Sequence, residues 1–223
     1  MTTIRAVLFD RDGVLTSFDL AGAGAFFAPL LPISVFALAA RWQEAGAQQG
    51  FPRNLAEERV FFDRFWAQAA DEFSLNAEQR AALGGLDYTR FVLSYPEVPP
   101  VLAELRRRGL RLGVLSNFTL ASLDQSLVGA GLADYFDVIC AAPVIGVAKP
   151  AARAYRIALD ALQVTADECL YFDDEEECVA GARALGMRAF LVDRRAQADD
   201  PQAGVVTDLR AALNLAGKET EFL

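Results

Sequence analysis

The sequence predicts a doubly wound α/β sheet interrupted by an all-helical segment, and three observations support this. Several short apolar runs lack period-2 alternation and end in polar or turn residues, as parallel strands covered on both faces do. Helical patterns separate these runs over residues 97–192, and such alternation is typical of an α/β sheet. The interval from about 16 to 93 contains no convincing strand, yet it holds both tryptophans and ten of the sixteen phenylalanines.

Each element follows from its local pattern. Strands are predicted at the apolar runs 6–9, 110–115, 138–141, 170–172 and 189–192, with a last short strand near Val205. Helices are predicted at 99–108, 121–130, 152–162, 178–185 and 209–215, several of them closed by glycine. Within the interruption, 54–73 has apolar residues at helical spacing after Asn54, a suitable N-cap. We therefore expect an α/β domain from 1–16 and 94–223, and a helical domain from 17–93.

The composition excludes several classes of protein. The chain has 223 residues and a formal charge of −9, which argues against nucleic-acid binding because no basic excess is available to contact phosphates. It has no histidine, so a Ser-His-Asp or Cys-His nucleophile cannot form, and acid–base chemistry falls to carboxylates, Lys, Tyr or Cys. Cys140, Cys169 and Cys178 form no C-x-x-C pair and are expected to be buried thiols. With no signal-peptide pattern at the N-terminus, we expect a cytoplasmic protein.

One uncharged stretch, 20–40, is long enough to span a bilayer. Two glycines and two prolines interrupt it, namely Gly22, Gly24, Pro29 and Pro32. A span here would also place Asp10 and Asp174, which we expect to meet in one site, on opposite sides of a membrane. We therefore expect no membrane association.

The candidate chemistry lies at the strand ends, where open α/β sheets bind ligands. Polar side chains follow four of the predicted strands, directly or after a loop: Asp10 and Asp12, Ser116 and Asn117, Lys149, and Asp173 and Asp174. Two carboxylate clusters, a hydroxyl, an amide and a lysine are thus expected to converge. The acids Glu175, Glu176 and Glu177 open the next helix and are interpreted as a solvated face favoured by the helix dipole.

The pair Asp10 and Asp12 suits nucleophilic and acid–base work. One carboxylate can attack while the other donates a proton to the leaving oxygen and then activates water. Alternatively, the two residues only form a turn. Asp173 and Asp174 opposite them would concentrate negative charge unless a cation is present, and hard oxygen ligands suit Mg²⁺. Lys149 supplies positive charge for a phosphoryl oxygen.

Four stretches in this order resemble the haloacid dehalogenase (HAD) superfamily: FDRDGVLT (9–16), LSN (115–117), AKP (148–150) and YFDDEEECVAGARALGM (171–187). The resemblance covers 1–16 and about 94–193. It implies a Rossmann-like core, with residues 17–93 (called the cap below) as a helical cap of the first type. It also implies a Mg²⁺-dependent phosphatase of small phosphorylated metabolites, acting as a monomer or homodimer.

The resemblance implies a role for each motif residue. Asp10 would be the nucleophile that forms an aspartyl-phosphate, and Asp12 would be the general acid/base. Ser116 and Lys149 would hold the phosphoryl group, with Asn117 assisting. The Mg²⁺ ligands would be Asp10, the backbone carbonyl of Asp12 and Asp174, with Asp173 close by.

Two positions depart from the family pattern. Cys178 stands where many relatives have a further Asp or Asn, which puts metal affinity or the placement of Lys149 in question. Arg11 is bulkier and more polar than the apolar residue often found there, and we expect it to point away from the site, paired or solvated.

Three alternatives remain open. A 2-haloacid dehalogenase would use the same nucleophile, but such enzymes usually lack an acid at position 12 because a departing halide needs no proton. A sugar-phosphate mutase would keep Asp12. A non-catalytic relative that binds a phospho-ligand or a protein is supported only by Cys178.

The cap is the expected source of substrate preference. Its apolar first part could line a pocket, although cap core or a subunit contact are alternatives: Phe26, Phe27, Leu30, Leu31, Val35 and Phe36. Arg41, Arg53 and Arg64 could pair with a substrate anion but are interpreted as surface residues.

Overall fold

A computed structural model describes residues 2–217. Its centre is a six-stranded, all-parallel sheet with the order β5-β4-β1-β6-β7-β8. The sheet strands are β1 (Ala6–Phe9), β4 (Arg111–Ser116), β5 (Val138–Ala141), β6 (Cys169–Asp173), β7 (Arg188–Val192) and β8 (Val205–Val206). The predicted α/β fold class is confirmed, and every predicted strand is present within one residue of its expected bounds.

Helices cover both faces of the sheet. They are α5 (Val98–Arg107), α6 (Leu123–Gly129), α7 (Ala142–Ile145), α8 (Ala152–Leu162), α9 (Glu176–Ala184) and α10 (Arg210–Leu215). Helix α8 has the predicted bounds, whereas α6 starts two residues late and α9 two residues early. Helix α7 was not predicted, because a single turn carries no periodic signal.

Alternation along the strands divides the core into two layers. Val7 and Phe9 face one layer, which packs against α5, α6 and α10, while Ala6 and Leu8 face the other, which packs against α8 and α9. On the first face the ring of Phe172 stacks between those of Phe9 and Phe190, with centroids 5.7 and 5.6 Å away. Residues of β1 are fully buried, which explains why this strand is continuously apolar.

The expectation of no strand between 16 and 93 is wrong at both ends of that interval. Strand β2 (Thr16–Phe18) pairs antiparallel with β3 (Val92–Ser94), and the two form a ribbon where the chain leaves and re-enters the core. Three residues are too few for a period-2 signal, and the pairing joins segments more than seventy residues apart.

Between β2 and β3 the cap contains four helices, α1 (Leu20–Phe27), α2 (Val35–Gln49), α3 (Leu55–Glu72) and α4 (Ala77–Gly84). Asn54 caps α3 as predicted, its side chain accepting from the backbone N–H of Glu57 at 2.9 Å. The cap has its own hydrophobic cluster around Phe27, Trp66 and Leu83. This separate core supports the division into 17–93 and 1–16 with 94–223, which we retain as a proposal; residues 218–223 lie outside the described residues.

The uncharged stretch 20–40 is divided between α1, a connecting turn and the start of α2. Across residues 2–217, no helix combines the length and apolar character that a membrane span requires.

Candidate active site

The structure brings Asp10, Lys149 and Asp173 together at the carboxyl edge of the sheet. Lys149 Nζ donates to Asp10 Oδ1 and to Asp173 Oδ2, both at 2.7 Å, and all three side chains are buried. The strand order explains this meeting, because β1 lies between β4 and β6 and the residues at their ends flank Asp10.

The electrostatics of this cluster follow from burial. Burial raises the pKa of Asp10 to about 7, although the charge of Lys149 lowers it and that of Asp173 raises it to a smaller extent. Burial also raises the pKa of Asp174 to about 6, assisted by Asp173. For Lys149, burial lowers the pKa, but the charges of Asp10 and Asp173 outweigh it and the net shift is upward. The ammonium is therefore charged while the acids around it are only partly compensated.

The same acids form a candidate metal centre. Asp10, Asp173 and Asp174 each offer a carboxylate oxygen, and these atoms lie within 4.8 Å of one another. A set of hard oxygen donors of this kind fits Mg²⁺. Gly13 leaves space for the Asp174 carboxylate, because a Cβ at this position would collide with it. The residue also has φ 73°, a conformation that favours glycine.

Asn117 holds the backbone of the loop that carries Lys149, called the lysine loop below. Its side-chain amide donates to the carbonyl of Lys149 at 3.0 Å and accepts from the N–H of Lys149 at 2.8 Å. It therefore fixes the backbone from which Lys149 reaches Asp10. Ser116 is 2% exposed at the end of β4, and its Oγ accepts from the N–H of Phe118 at 3.2 Å. Both residues line the cavity described below.

Arg11 behaves differently from its expectation. It is paired, as expected, with Nη2 donating to Asp12 Oδ2 at 2.6 Å and Nε to Asp12 Oδ1 at 3.2 Å. The expectation that it points away from the site is wrong, because it lines the same cavity as Asp10 and Asp12. Its guanidinium is buried, donates to Ser126 Oγ at 2.8 Å and lies 3.7 Å above the Phe118 ring. Residues distant in sequence thus hold Arg11, and through it Asp12, at the site.

Two side-chain contacts were not predicted from the sequence, one made by Asp173 and one made by Cys178. The Tyr171 hydroxyl donates to Asp173 Oδ2, a contact that i, i+2 spacing along one strand would have suggested. Cys178 is buried in the first turn of α9, and its Sγ donates to Glu175 Oε2 at 3.1 Å. Glu175 lines the cavity, so the interpretation of residues 175–177 as a purely solvated face is incomplete for this residue.

A cavity of about 520 Å³ lies above these residues, between the core and the cap. Of the six apolar residues considered for a pocket, Phe27 and Val35 line it. Three others pack with the cap's cluster instead, and Phe36 is 71% exposed. The remaining wall is largely aromatic, provided by Phe18, Trp42, Phe62, Phe65, Trp66, Tyr88, Phe91 and Phe118.

Comparison with known proteins identifies the family. Residues 4–186 match the haloacid dehalogenase-like hydrolases. The chain is 41% identical over 213 residues to Phosphatase MT3486 of Mycobacterium tuberculosis (strain CDC 1551 / Oshkosh), covering 93% of this chain and 94% of that protein. It is 27% identical over 223 residues to the (S)-2-haloacid dehalogenase of Pseudomonas sp. (strain YL), covering 96% and 95% of the two chains.

The fold comparison agrees. The crystal structure of a HAD phosphatase from Thermococcus onnurineus superposes with a TM-score of 0.63 at 22% identity, covering 97% of this chain and 99% of that one. At this identity the likeness concerns the fold. The matched family and the relative at 41% identity establish that the chain is an enzyme that belongs to the haloacid dehalogenase-like hydrolase family.

Proposed function

We propose that this enzyme is a phosphatase that hydrolyses small phosphomonoesters through a phosphate ester of Asp10. The single observation that carries the proposal is the buried contact of Asp10 with Lys149, beside a second acid, Asp12, on the same cavity. The phosphatase relative at 41% identity supports the same reaction class.

The contacts suggest how the first step proceeds. Lys149 Nζ donates a hydrogen bond to Oδ1 of Asp10, and among the described residues no donor contacts Oδ2. Oδ2 is therefore the oxygen that can attack phosphorus. The bond from phosphorus to the ester oxygen breaks, and Asp12 donates a proton to that oxygen so that a neutral alcohol leaves. The charge of Lys149 balances the anionic group at the reacting centre.

The second step regenerates the enzyme. Asp12 takes a proton from a water molecule whose oxygen attacks phosphorus, the bond to Asp10 Oδ2 breaks, and phosphate is released. Arg11 donates to both oxygens of Asp12, so Asp12 has to release one of these contacts when it carries the proton. Ser116 and Asn117 would steady the phosphoryl oxygens and the lysine loop.

We propose that Mg²⁺ is held by Asp10, Asp174 and the backbone carbonyl of Asp12, with Asp173 close by. The carboxylate oxygens of Asp10, Asp173 and Asp174 within 4.8 Å of one another support this assignment. When bound, the cation would neutralise phosphate oxygens and help to orient the ester.

Asp12 favours a phosphatase over a dehalogenase, although a dehalogenase is among the relatives. An alkoxide leaving group needs a proton, whereas a halide leaves as a stable anion.

The three cysteines in residues 2–217 are free thiols, which supports the proposed cytoplasmic location because that compartment is reducing.

The proposal is tested with 4-nitrophenyl phosphate in the presence of Mg²⁺ or EDTA. We expect EDTA to abolish hydrolysis and Asp10→Asn to lower kcat by roughly a thousandfold or more, since the amide is a poor nucleophile. Asp160→Asn, on an exposed site of α8, is the matched control and should retain activity. Mass spectrometry of acid-quenched enzyme should find phosphate on Asp10. Full activity in EDTA or in Asp10→Asn would refute the mechanism, and turnover of 2-haloacids alone would favour the dehalogenase.

A further inference from the structure

Much of the wall of the cavity that Asp10 lines is made of packed aromatic rings. Trp42 on α2 lies 4.9 and 5.0 Å from the rings of Phe62 and Phe65 on α3, measured between centroids. Phe62 stacks on Tyr88 at 6.0 Å, and Tyr88 lies 5.8 Å from Phe118 of the core. Each ring is fixed by a neighbour, so the wall presents a stable apolar surface to whatever the phosphate group carries.

The polar edge of this wall is already satisfied. Trp42 Nε1 donates to Thr119 Oγ1 at 3.2 Å, and the Tyr88 hydroxyl contacts Ser122 Oγ at 2.5 Å. Neither group needs a ligand to complete its hydrogen bonds. Because these donors are already bonded within the protein, a ligand can make apolar contacts with the aromatic wall but no hydrogen bonds to these two groups.

The charges around the cavity are unfavourable to a second anion. Among its described lining residues the cations are Lys149 and Arg11, and both are engaged by carboxylates, Lys149 by Asp10 and Asp173 and Arg11 by Asp12. The other charged lining residues are the acids Asp10, Asp12, Asp174 and Glu175. A carboxylate or second phosphate on the substrate would lose its water without gaining a free partner.

None of the cap arginines lines the cavity. Arg41 pairs with Glu72, Arg53 pairs with Glu57, and Arg64 is exposed on α3. Arg90 lies over the rings of Phe26 and Phe91, at 5.6 and 5.5 Å from their centroids. The cap does contribute one uncharged polar side chain to the lining, Gln43 on α2.

We propose that the substrates are phosphomonoesters whose alcohol part is an uncharged apolar group held against Phe62 and Trp42. This inference rests on the proposed phosphatase function and names the substrate class of that same site. Esters that carry a carboxylate or a second phosphate near the scissile group are disfavoured, because among the described lining residues no cation is free of a carboxylate partner.

A matched pair of substrates tests the class: benzyl phosphate and 4-carboxybenzyl phosphate, which differ by one carboxylate. We expect kcat/KM to be about 100-fold higher for benzyl phosphate, because the carboxylate would be desolvated without a partner. Equal values, or a preference for the carboxylated ester, would overturn the proposal while leaving the phosphatase function intact.

Variants test the position of the binding group. Gln43→Arg adds a cation to the cavity. It should lower the ratio of kcat/KM for benzyl phosphate to kcat/KM for 4-carboxybenzyl phosphate about tenfold. Gln48→Arg, further along α2 and outside this cavity, is its control and should leave the ratio unchanged. Phe62→Ala should raise KM for benzyl phosphate about tenfold with little change for ethyl phosphate, and Phe62→Leu should recover most of the loss. A ratio that does not respond to Gln43→Arg, or an equal effect of Gln48→Arg, would contradict the assignment.

A binding measurement separates the two proposals. Benzylphosphonate cannot be hydrolysed, and calorimetry in Mg²⁺ should find tighter binding for it than for 4-carboxybenzylphosphonate. If this preference is found without turnover of any ester, the proposed reaction fails and the class of ligand stands. If esters are turned over and no binding preference is found, the class fails and the reaction stands.

Discussion

At the scale of single residues, the site is governed by a local excess of negative charge. Lys149 contacts Asp10 and Asp173, while Asp174 adds a further carboxylate and Tyr171 donates to Asp173. Lys149 is held by these acids and by Asn117, so its placement does not require an acid at position 178. The departure at Cys178 therefore concerns the charge near the candidate metal centre more than the placement of Lys149.

Replacing Cys178 tests this conclusion. Cys178→Asp would bury another carboxylate beside Asp173 and Glu175, and we expect it to lower the free energy of unfolding of the metal-free protein by about 1–3 kcal/mol. Saturating Mg²⁺ should restore part of this loss. Thermal melts with EDTA and with Mg²⁺ provide the measurement, and Cys178→Ser is the uncharged control. A metal-free stability equal to that of the wild type would contradict the prediction.

At the scale of elements, one contact joins the cap helix α3 to the core helix α6. Glu58 of α3 is 6% exposed, and its carboxylate accepts from the N–H of Ser122 at 2.9 Å and from Ser122 Oγ at 2.5 Å. Ser122 immediately precedes α6, where backbone N–H groups lack helical partners. The cap thereby satisfies a donor of the core. A second contact, the hydrogen bond from Trp42 of α2 to Thr119, joins the cap to the core at the cavity wall.

Glu58→Ala removes this contact and leaves the Ser122 N–H without its acceptor. We expect a loss of about 1–3 kcal/mol in the free energy of unfolding and a higher KM, because the cap is held less firmly over the cavity. Urea unfolding and steady-state kinetics measure the two effects. Asp63→Ala, an exposed position on the same helix, should change neither, and equal effects of the two substitutions would argue against a specific role for Glu58.

At the scale of the whole molecule, the sheet order gathers carboxylates from distant segments into one cluster, in which Asp10 and Asp173 are buried and Asp174 is exposed. The net charge of −9 is partly concentrated there. The contribution of that cluster to the free energy of unfolding depends on pH. In the folded protein the pKa of Asp10 is raised to about 7 and that of Asp174 to about 6, above the values of an unfolded chain. The folded state therefore holds more protons than the unfolded state between about pH 4 and pH 7.

The sign of the pH effect follows from this. Without metal, the contribution of these two acids to stability is greatest below about pH 4 and is lost as the pH rises through 6 and 7. Mg²⁺ binds the ionised acids, so the increase in Tm that it causes should grow from about pH 5 to about pH 8. Thermal melts over this range, with NaCl of matched ionic strength as control, check the prediction. An increase that is independent of pH would contradict it, and Asp174→Asn should weaken it.

Much of this architecture is accessible from local pattern. The strand 6–9 and the helix 152–162 were predicted with their observed bounds, since continuous burial and one apolar face leave a clear trace in the sequence. The ribbon of β2 and β3 was missed because its pairing is non-local and each strand has three residues. Helix α7 is one turn long and leaves no period.

The α/β class, the inserted helices and the polar residues that follow the strands are predictable from local sequence, because strand ends and residue chemistry are local properties. These polar residues are Asp10, Asp12, Ser116, Asn117, Lys149, Asp173 and Asp174. Their contacts depend on the tertiary structure. Arg11 turns toward the cavity because Ser126 and Phe118, more than a hundred residues away, receive its guanidinium. The cavity wall likewise joins Trp42, Tyr88 and Phe118 from three separate segments. Contacts between distant segments depend on how the elements pack, and no local period encodes that packing.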